Sequence, residues 1–315
     1  MQSTPLATGY TGSVISAMSD DGSIVVGAMG NGANAGNYQD AFRWTTSSPT
    51  VTTGSVSGQV NAWATVVSGD GTRIYGHTDH VVFEWRANQA PSQMLNIPVD
   101  SDFSACSTTG LTVVGNLPSV NTDPSWPFIY DVTSGTLSTQ TSAPYANARF
   151  KGLSGNGLTV VGGASSAIKW TSSGGLGELP GGSGFANSTS PNGQYAAGQT
   201  AGQATLWSGA GLQTVTLLGK LATLPQWFTE GRDVSQDGTV VVGRALPPFG
   251  GTNVAVIWTS TGGLQKLSDA LATAGIDVSA WEQLQEAEAV STNGKVIAGT
   301  GVKGGVTLGF VARLP

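Results

Sequence analysis

The sequence predicts an all-β protein, a seven-bladed β-propeller of four-stranded antiparallel blades. It would form one domain over residues 1–315, its last blade closed by the N-terminal strand. Three observations predict it. The pattern Ser-x-x-Gly-x-x-x-x-Gly occurs seven times, spaced 36–56 residues apart by the first Ser. Each copy is followed by a strand-like segment carrying an aromatic residue. The 24 residues after Ser291 and the 19 from Met1 to Ser19 together make about one further repeat, the length of a propeller blade.

The copies read SDDGSIVVG (19–27), SGDGTRIYG (68–76), STTGLTVVG (107–115), SGNGLTVVG (154–162), SPNGQYAAG (190–198), SQDGTVVVG (235–243) and STNGKVIAG (291–299). Asp-Gly and Asn-Gly supply two residues that tolerate positive φ, as a tight hairpin turn requires. Runs such as Val240-Val241-Val242 have the β-branched character of strands. The residues before each Ser read as the partner strand. A variable loop follows, then an aromatic strand at Trp44, Trp85, Tyr130, Trp170, Trp207, Trp258 and Phe310. These recur once per repeat, as packing between blades requires. A polar-Gly turn and a Leu pair, as in TSSGGLGEL and TSTGGLQKL, complete four strands. The last copy lacks that final strand, and STPLATG near the N-terminus has the character to supply it. A solenoid would want distinct end caps, whereas these ends are complementary halves.

Alternating strand direction places the uniform Asp-Gly and Asn-Gly turns on one face and the variable loops on the other. The longest of these loops are 28–40, 116–126, 244–253, 219–231 and 268–283. The last carries a short helical insertion at about 268–275, with Ser268 as N-cap and Gly275 as stop. Function concentrates on variable loops held by a rigid scaffold. The candidate binding residues are therefore Tyr38, Asp123, Trp126, Trp227, Phe249 and Trp281, aromatics giving contact area for little lost rotamer freedom. The competing expectation is that each loop aromatic plugs its loop onto the rim.

Charged residues make up 10% of the chain and the net charge is −6. Ordinary domains carry about 25% charged residues, so this surface is dominated by Ser, Thr, Asn, Gln and Gly. Such a neutral, hydroxyl-rich surface suits exposure outside a cell or particle and hydrogen bonding to sugars. It lacks the clustered Lys and Arg of a nucleic-acid interface. The 46 glycines are about twice average usage, matching the turns. The single cysteine, Cys106, excludes an intrachain disulfide and occupies a position filled elsewhere by Val67, Val234 and Val290, so it is expected in the core. No apolar run is long enough to span a membrane, and MQSTPLATGY has neither the basic nor the apolar region of a signal peptide.

The sequence predicts no catalytic centre, no cofactor and no metal site. His77 and His80, with Asp79 between them, have the residue types of a metal site but no second cluster to complete it. The acids Asp20, Asp21, Asp70 and Asp237 belong to turns. Glu282, Glu286 and Glu288 gather near the last repeat and Glu230 precedes the sixth. Paired carboxylates can hydrolyse glycosides, but this group reads as a solvated segment.

The Ser-x-Asp-Gly … Val-x-Gly … Ala-x-x-Trp signature, and above all LSDALATAGIDVSAW with EAVSTNGKVIAGTG, resembles the HAF-type extracellular repeats of bacterial surface and autotransporter-like proteins. The resemblance spans essentially the whole chain. It implies a propeller in a cell-surface or secreted setting and implies no chemistry, because the shared residues belong to turns and core. Two departures are the missing secretion signal and the missing membrane-anchoring barrel. Together these readings point to a non-enzymatic structural and recognition module outside a particle, most readily a tail, fibre or decoration protein of a bacteriophage virion. It would belong to a multimeric assembly and bind other virion or surface proteins or a host surface polysaccharide. The alternatives are an exported bacterial adhesin and a polysaccharide-degrading propeller.

Overall fold

The computed structural model describes residues 1–31, 38–94, 96–118, 125–140 and 147–315. Strand β1 (Gln2–Ser3) comes first. A sheet follows from β2 (Gly12–Met18), β3 (Ile24–Gly30), β4 (Tyr38–Thr45) and β5 (Thr52–Gly54). The second sheet is β6 (Trp63–Val67), β7 (Arg73–His77), β8 (Val82–Arg86) and β9 (Ser92–Gln93). The third is β10 (Asp102–Cys106), β11 (Thr112–Asn116), β12 (Pro127–Asp131) and β13 (Thr136–Thr139).

A seven-stranded sheet comes next: β14 (Arg149–Leu153), β15 (Thr159–Gly163), β16 (Ser166–Thr171), β17 (Gly175–Thr189), β18 (Ala196–Thr200), β19 (Gln203–Ser208) and β20 (Thr214–Gly219). Then come β21 (Phe228–Val234), β22 (Val240–Leu246), β23 (Val254–Thr259) and β24 (Gly263–Lys266). The helix α1 (Leu267–Thr273) leads to β25 (Gln283–Val290), β26 (Val296–Lys303) and β27 (Val306–Arg313). All pairings are antiparallel, and the order β1-β27-β26-β25 shows the first strand completing the last sheet. Gln2 faces Val311, Ser3 faces Phe310, and the Thr4 amide donates to the Gly309 carbonyl at 2.8 Å.

The protein is thus an all-β propeller of four-stranded antiparallel blades. Five sheets stand alone as blades, against the seven expected, because β17 does not break. Its first part pairs with β16 and its last part, Gly184–Thr189, with β18. Gly181 and Gly182, at φ 119° and 80°, turn the chain between the two partners without leaving the sheet, which side chains at those positions would resist.

Apolar clusters lie between neighbouring sheets. Ile24 and Val26 pack on Ile74 and Phe83; Tyr75 and Val66 pack on Phe103 and Phe128; Val25 and Phe42 pack on Val296 and Val311, joining the first sheet to the last. The strand aromatics take their expected place with two corrections. Trp44, Trp85, Tyr130, Trp207 and Phe310 are buried, but Trp170 and Trp258 are half-buried. Phe310 is out of register with the tryptophans: it faces Gly299, as Phe42, Phe83 and Phe128 face Gly27, Gly76 and Gly115.

The repeated turn also differs from the two-residue form expected. Only its glycine has positive φ, 71° at Gly22 and 70° at Gly238. The Gly22 amide donates to the Ser19 carbonyl at 2.9 Å, and the Ile24 amide to the Ser19 hydroxyl oxygen at 3.0 Å. The Ser19 hydroxyl in turn donates to Asp21 at 2.8 Å. The motif serine closes a longer turn from inside, which explains its recurrence. Helix α1 is capped at Lys266, not at Ser268, and no side chain supplies the cap. Its other end is as predicted: Gly275 has φ 77°, and the Gly275 and Ile276 amides close onto the Ala272 and Leu271 carbonyls.

Candidate functional site

The innermost strands β2, β6, β10, β14, β17, β21 and β25 each contain a β-bulge at the same point. The unpaired residues are Ser16, Thr65, Ser104, Lys151, Asn187, Arg232 and Glu288. A bulge re-aims a side chain that regular alternation would send elsewhere. Here all of these residues line one central cavity of about 330 Å³. On one side the bulge tier offers only the small hydroxyls of Ser16, Thr65 and Ser104. On the other it offers Lys151, Asn187, Arg232 and Glu288.

The turn end of this cavity is bounded by a circuit of hydrogen bonds. The Thr292 amide donates to Asp20, the Asp20 amide to Gly69, Asp70 to Thr108, Thr108 to Gly155, and Gly155 to Pro191, all at 2.8–2.9 Å. Neighbouring Asn192 reaches the Gln236 carbonyl through its side chain at 3.1 Å, and the Gln236 amide returns to Thr292 at 3.0 Å. The Asp20 carboxylate crosses over Gly69 to accept from the Thr108 hydroxyl at 3.1 Å. A Cβ on Gly69 would lie 2.3 Å from that carboxylate. Burial, joined by Asp21 and Asp70, raises the Asp20 pKa despite the Thr108 hydrogen bond.

Above the bulge tier, toward the variable loops, the charges are ordered. Glu230 is 4% exposed and faces Arg244 across the β21–β22 ladder. Arg244 donates to Glu230 at 3.2 Å through two nitrogens and to Glu286 at 2.7 Å. Asn253 donates to the same Glu286 oxygen at 2.7 Å, and Asn187 to Glu230 at 2.8 Å. Glu286 and Glu288 share a hydrogen bond. Burial and that bond push the Glu288 carboxyl up, while the bond and the nearby Arg244 outweigh burial at Glu286 and hold it down. The contact thus moves the two carboxyls in opposite directions. Arg232 sits 3.4 Å from Glu230 and 3.8 Å from Glu288. Lys151 donates to the Asn187 amide oxygen at 3.0 Å and lies 4.6 Å from the Phe185 ring centre. Burial lowers its pKa, countered by Glu230.

The solvated acidic segment expected from sequence is therefore corrected. Glu230, Glu286 and Glu288 are paired with Arg232 and Arg244, Glu288 lining the cavity, and of the four only Glu282 is exposed, accepting the Gly305 amide at 3.0 Å. Cys106, expected in the core, is half-buried. It packs beside Phe103 and Tyr75 yet lines the cavity, and burial pushes its thiol pKa up. Among the described residues no group of three His, Cys, Asp or Glu could hold a metal ion. Asp79 instead accepts from Asn61 at 2.6 Å.

The predicted loop residues are not brought together as one patch. Asp123 lies outside the described residues, as does the side chain of Tyr38, which begins β4. Trp126 is half-buried beside β12. Trp227 packs on the cluster of Leu221, Ala245 and Val256. Trp281 meets the Phe310 ring edge-on at 5.8 Å, with Lys303 5.7 Å above its face. These two tryptophans hold their loops to the rim. Phe249 does not: it is 98% exposed, in the Pro- and Gly-rich connection between β22 and β23. The bulge residues were missed from sequence although they carry a signal: the third residue before each motif Ser is polar in every copy.

No family model matches the chain, and no curated protein matches it in sequence. Solved structures do match the fold. The β-propeller domain of Cps50 (Swd1) from Myceliophteria thermophila is 10% identical with a TM-score of 0.64, each chain covered in full. The extracellular domain of the one component system BT4673 from B. thetaiotaomicron is 13% identical with a TM-score of 0.62, over 99% of this chain and 39% of that one. TolB from Acinetobacter baumannii is 13% identical with a TM-score of 0.52, over 82% and 64%. At these identities the likeness is one of β-propeller fold.

Proposed function

We propose that this protein is a non-enzymatic structural and recognition module displayed on the outside of a particle, a bacteriophage virion before any other. In this reading the ring has seven blades, the seven-stranded sheet serving as two joined through β17. The variable-loop face contacts a partner protein or a host surface glycan. The observation that carries the proposal is Phe249, 98% exposed on a loop of the rigid ring. A fully solvated aromatic contributes nothing to folding, whereas aromatic anchors dominate recognition surfaces. The low charge content and hydroxyl-rich composition support a surface in contact with the outside.

The HAF-like repeats favour a second reading, an exported surface adhesin. Immunogold labelling of the producing culture separates the two. Gold on virus-like particles is the expected result; gold on the bacterial envelope without particles would replace the virion with the adhesin. Among the described residues no helix is long and apolar enough to cross a membrane.

A further inference from the structure

We propose that the central cavity binds one small hydroxylated carboxylate, a sugar acid of hexuronate size, between Lys151 and Arg232 on one wall and Ser16, Thr65 and Ser104 on the other. The proposal goes beyond recognition by the loops, since these residues lie in the channel and not on the loop face.

The argument rests on an excess of donors. The Ser16 hydroxyl oxygen accepts from the Trp63 indole at 2.6 Å, and the Ser104 oxygen accepts from Asn116 at 3.2 Å. Among the described residues neither hydroxyl donates to an acceptor. The Thr65 hydroxyl reaches the Tyr75 carbonyl only at 3.4 Å. Lys151 meets one neutral amide oxygen and an aromatic face, and no carboxylate lies against it. Arg232 makes ion pairs at 3.4 and 3.8 Å but no hydrogen bond among the described residues, and its Nε is buried without an acceptor. Of these only the Arg232 Nε is a buried donor without an acceptor, a state that costs free energy; the others line the cavity half-buried, and a ligand rich in acceptors offers them partners.

The nearby carboxylates are already engaged, Glu288 in the same tier by Glu286 and by Arg232 at 3.8 Å. Glu230 and Glu286 are held by Arg244. Asp233 accepts from the Ser188 hydroxyl at 2.6 Å and from the Val290 and Val234 amides at 2.8 and 2.9 Å. Asp20 lies at the turn end. A ligand carboxylate is therefore placed at the bulge tier, on the Lys151–Arg232 arc, with its hydroxyls toward the three small side chains. The cavity of about 330 Å³ is at the lower bound of small-molecule sites, roughly 300–1,000 Å³, which limits the ligand to about one sugar ring. Asp20, crossing Gly69 to Thr108, bounds the cavity at its turn end, and the bulge tier lies at the other.

Isothermal titration of the full chain with D-glucuronate, D-glucose and acetate tests the proposal. Glucuronate is expected to bind at least about tenfold more tightly than either of the others. Lys151→Met is expected to weaken glucuronate at least about tenfold without a change in melting temperature, and Ser104→Val, on the opposite wall, to weaken it severalfold. Should Lys151→Met fail to fold, Lys151→Gln gives the same reading. No binding of glucuronate at millimolar concentration would overturn the site. Equal binding of glucose would overturn the cation arc, and equal binding of acetate the hydroxyl wall.

Discussion

A Cβ placed on Gly243 would lie 1.9 Å from the Glu230 carbonyl oxygen. Gly243 faces Gly231, and the register slips by one residue at Arg232. The same approach recurs at Gly27, Gly76, Gly115, Gly162, Gly198 and Gly299, each within 1.8–2.1 Å of a carbonyl on the bulged strand. The second glycine of the repeat thus exists to let the bulge form, and the bulge aims a side chain at the channel. Gly243→Ala is expected to destabilise the protein by at least about 1–3 kcal/mol, read as a lower urea midpoint at unchanged slope. At Gly263, which has no such neighbour, Ala meets only its backbone cost at positive φ.

Arg244 ties together two carboxylates that burial would otherwise penalise. Glu230 has a side-chain exposure of 5% and Glu286 of 25%. Removing one partner of such a network leaves uncompensated charge and costs about 3–5 kcal/mol. Arg244→Met is expected to fall in that range by chemical denaturation. Arg244→Lys is expected to recover only a small part, because one ammonium cannot reproduce the forked contacts to Glu230 and Glu286. The double variant Arg244→Met, Glu286→Gln should lose less than the sum of its single changes.

The ring and the channel were not equally legible in the sequence. Ser19, Asp21 and Gly22 announce a turn because their chemistry is local: hydroxyl, carboxylate and glycine close the same few backbone groups on themselves. Copies of that turn define the repeat. The bulge residues differ in identity from Ser16 to Glu288 precisely because each serves the channel and not the turn, so a search for sameness passes over them. Glu286 and Glu288 looked solvated because their partners Arg232 and Arg244 come from another sheet. Phe310 was aligned with the tryptophans by chain order, whereas its ladder partner Gly299 places it with Phe42.

Asp233 makes stability depend on pH with a defined sign. Burial pushes its carboxyl up to about 6, against the lowering effect of the Ser188, Val290 and Val234 hydrogen bonds. An unfolded aspartate titrates near 3.9. Between these values the folded chain binds the proton and the unfolded chain does not, so this contribution is full below about pH 4 and is lost as pH rises through 6. Its size is roughly 3 kcal/mol. Glu288, raised by burial and its bond with Glu286, acts in the same direction at higher pH. Asp237 acts oppositely: the Thr239 amide and the Ser235 hydroxyl lower its pKa, and its contribution is lost as pH falls below the ordinary aspartate range. Asp233→Asn is expected to flatten the slope of unfolding free energy between pH 4 and 6, whatever its effect on absolute stability. An unchanged slope would exclude Asp233 as its source.

Phe249 offers a separation of folding from recognition that the half-buried Trp227 and Trp281 do not. Trp281→Ala removes the edge-on contact with Phe310 and the packing beneath Lys303, so it is expected to lower stability whatever else it does. Phe249→Ser removes a side chain that is 98% exposed, and surface changes of that kind stay within about 0.5 kcal/mol. If Phe249 is an anchor, its loss costs about 2 kcal/mol or more of binding, roughly a thirtyfold change. Labelled protein applied to cells of the producing culture and read by flow cytometry measures this directly. Unchanged melting with at least about tenfold weaker attachment is the expected pair of results. Unchanged attachment would remove the loop between β22 and β23 from the recognition surface.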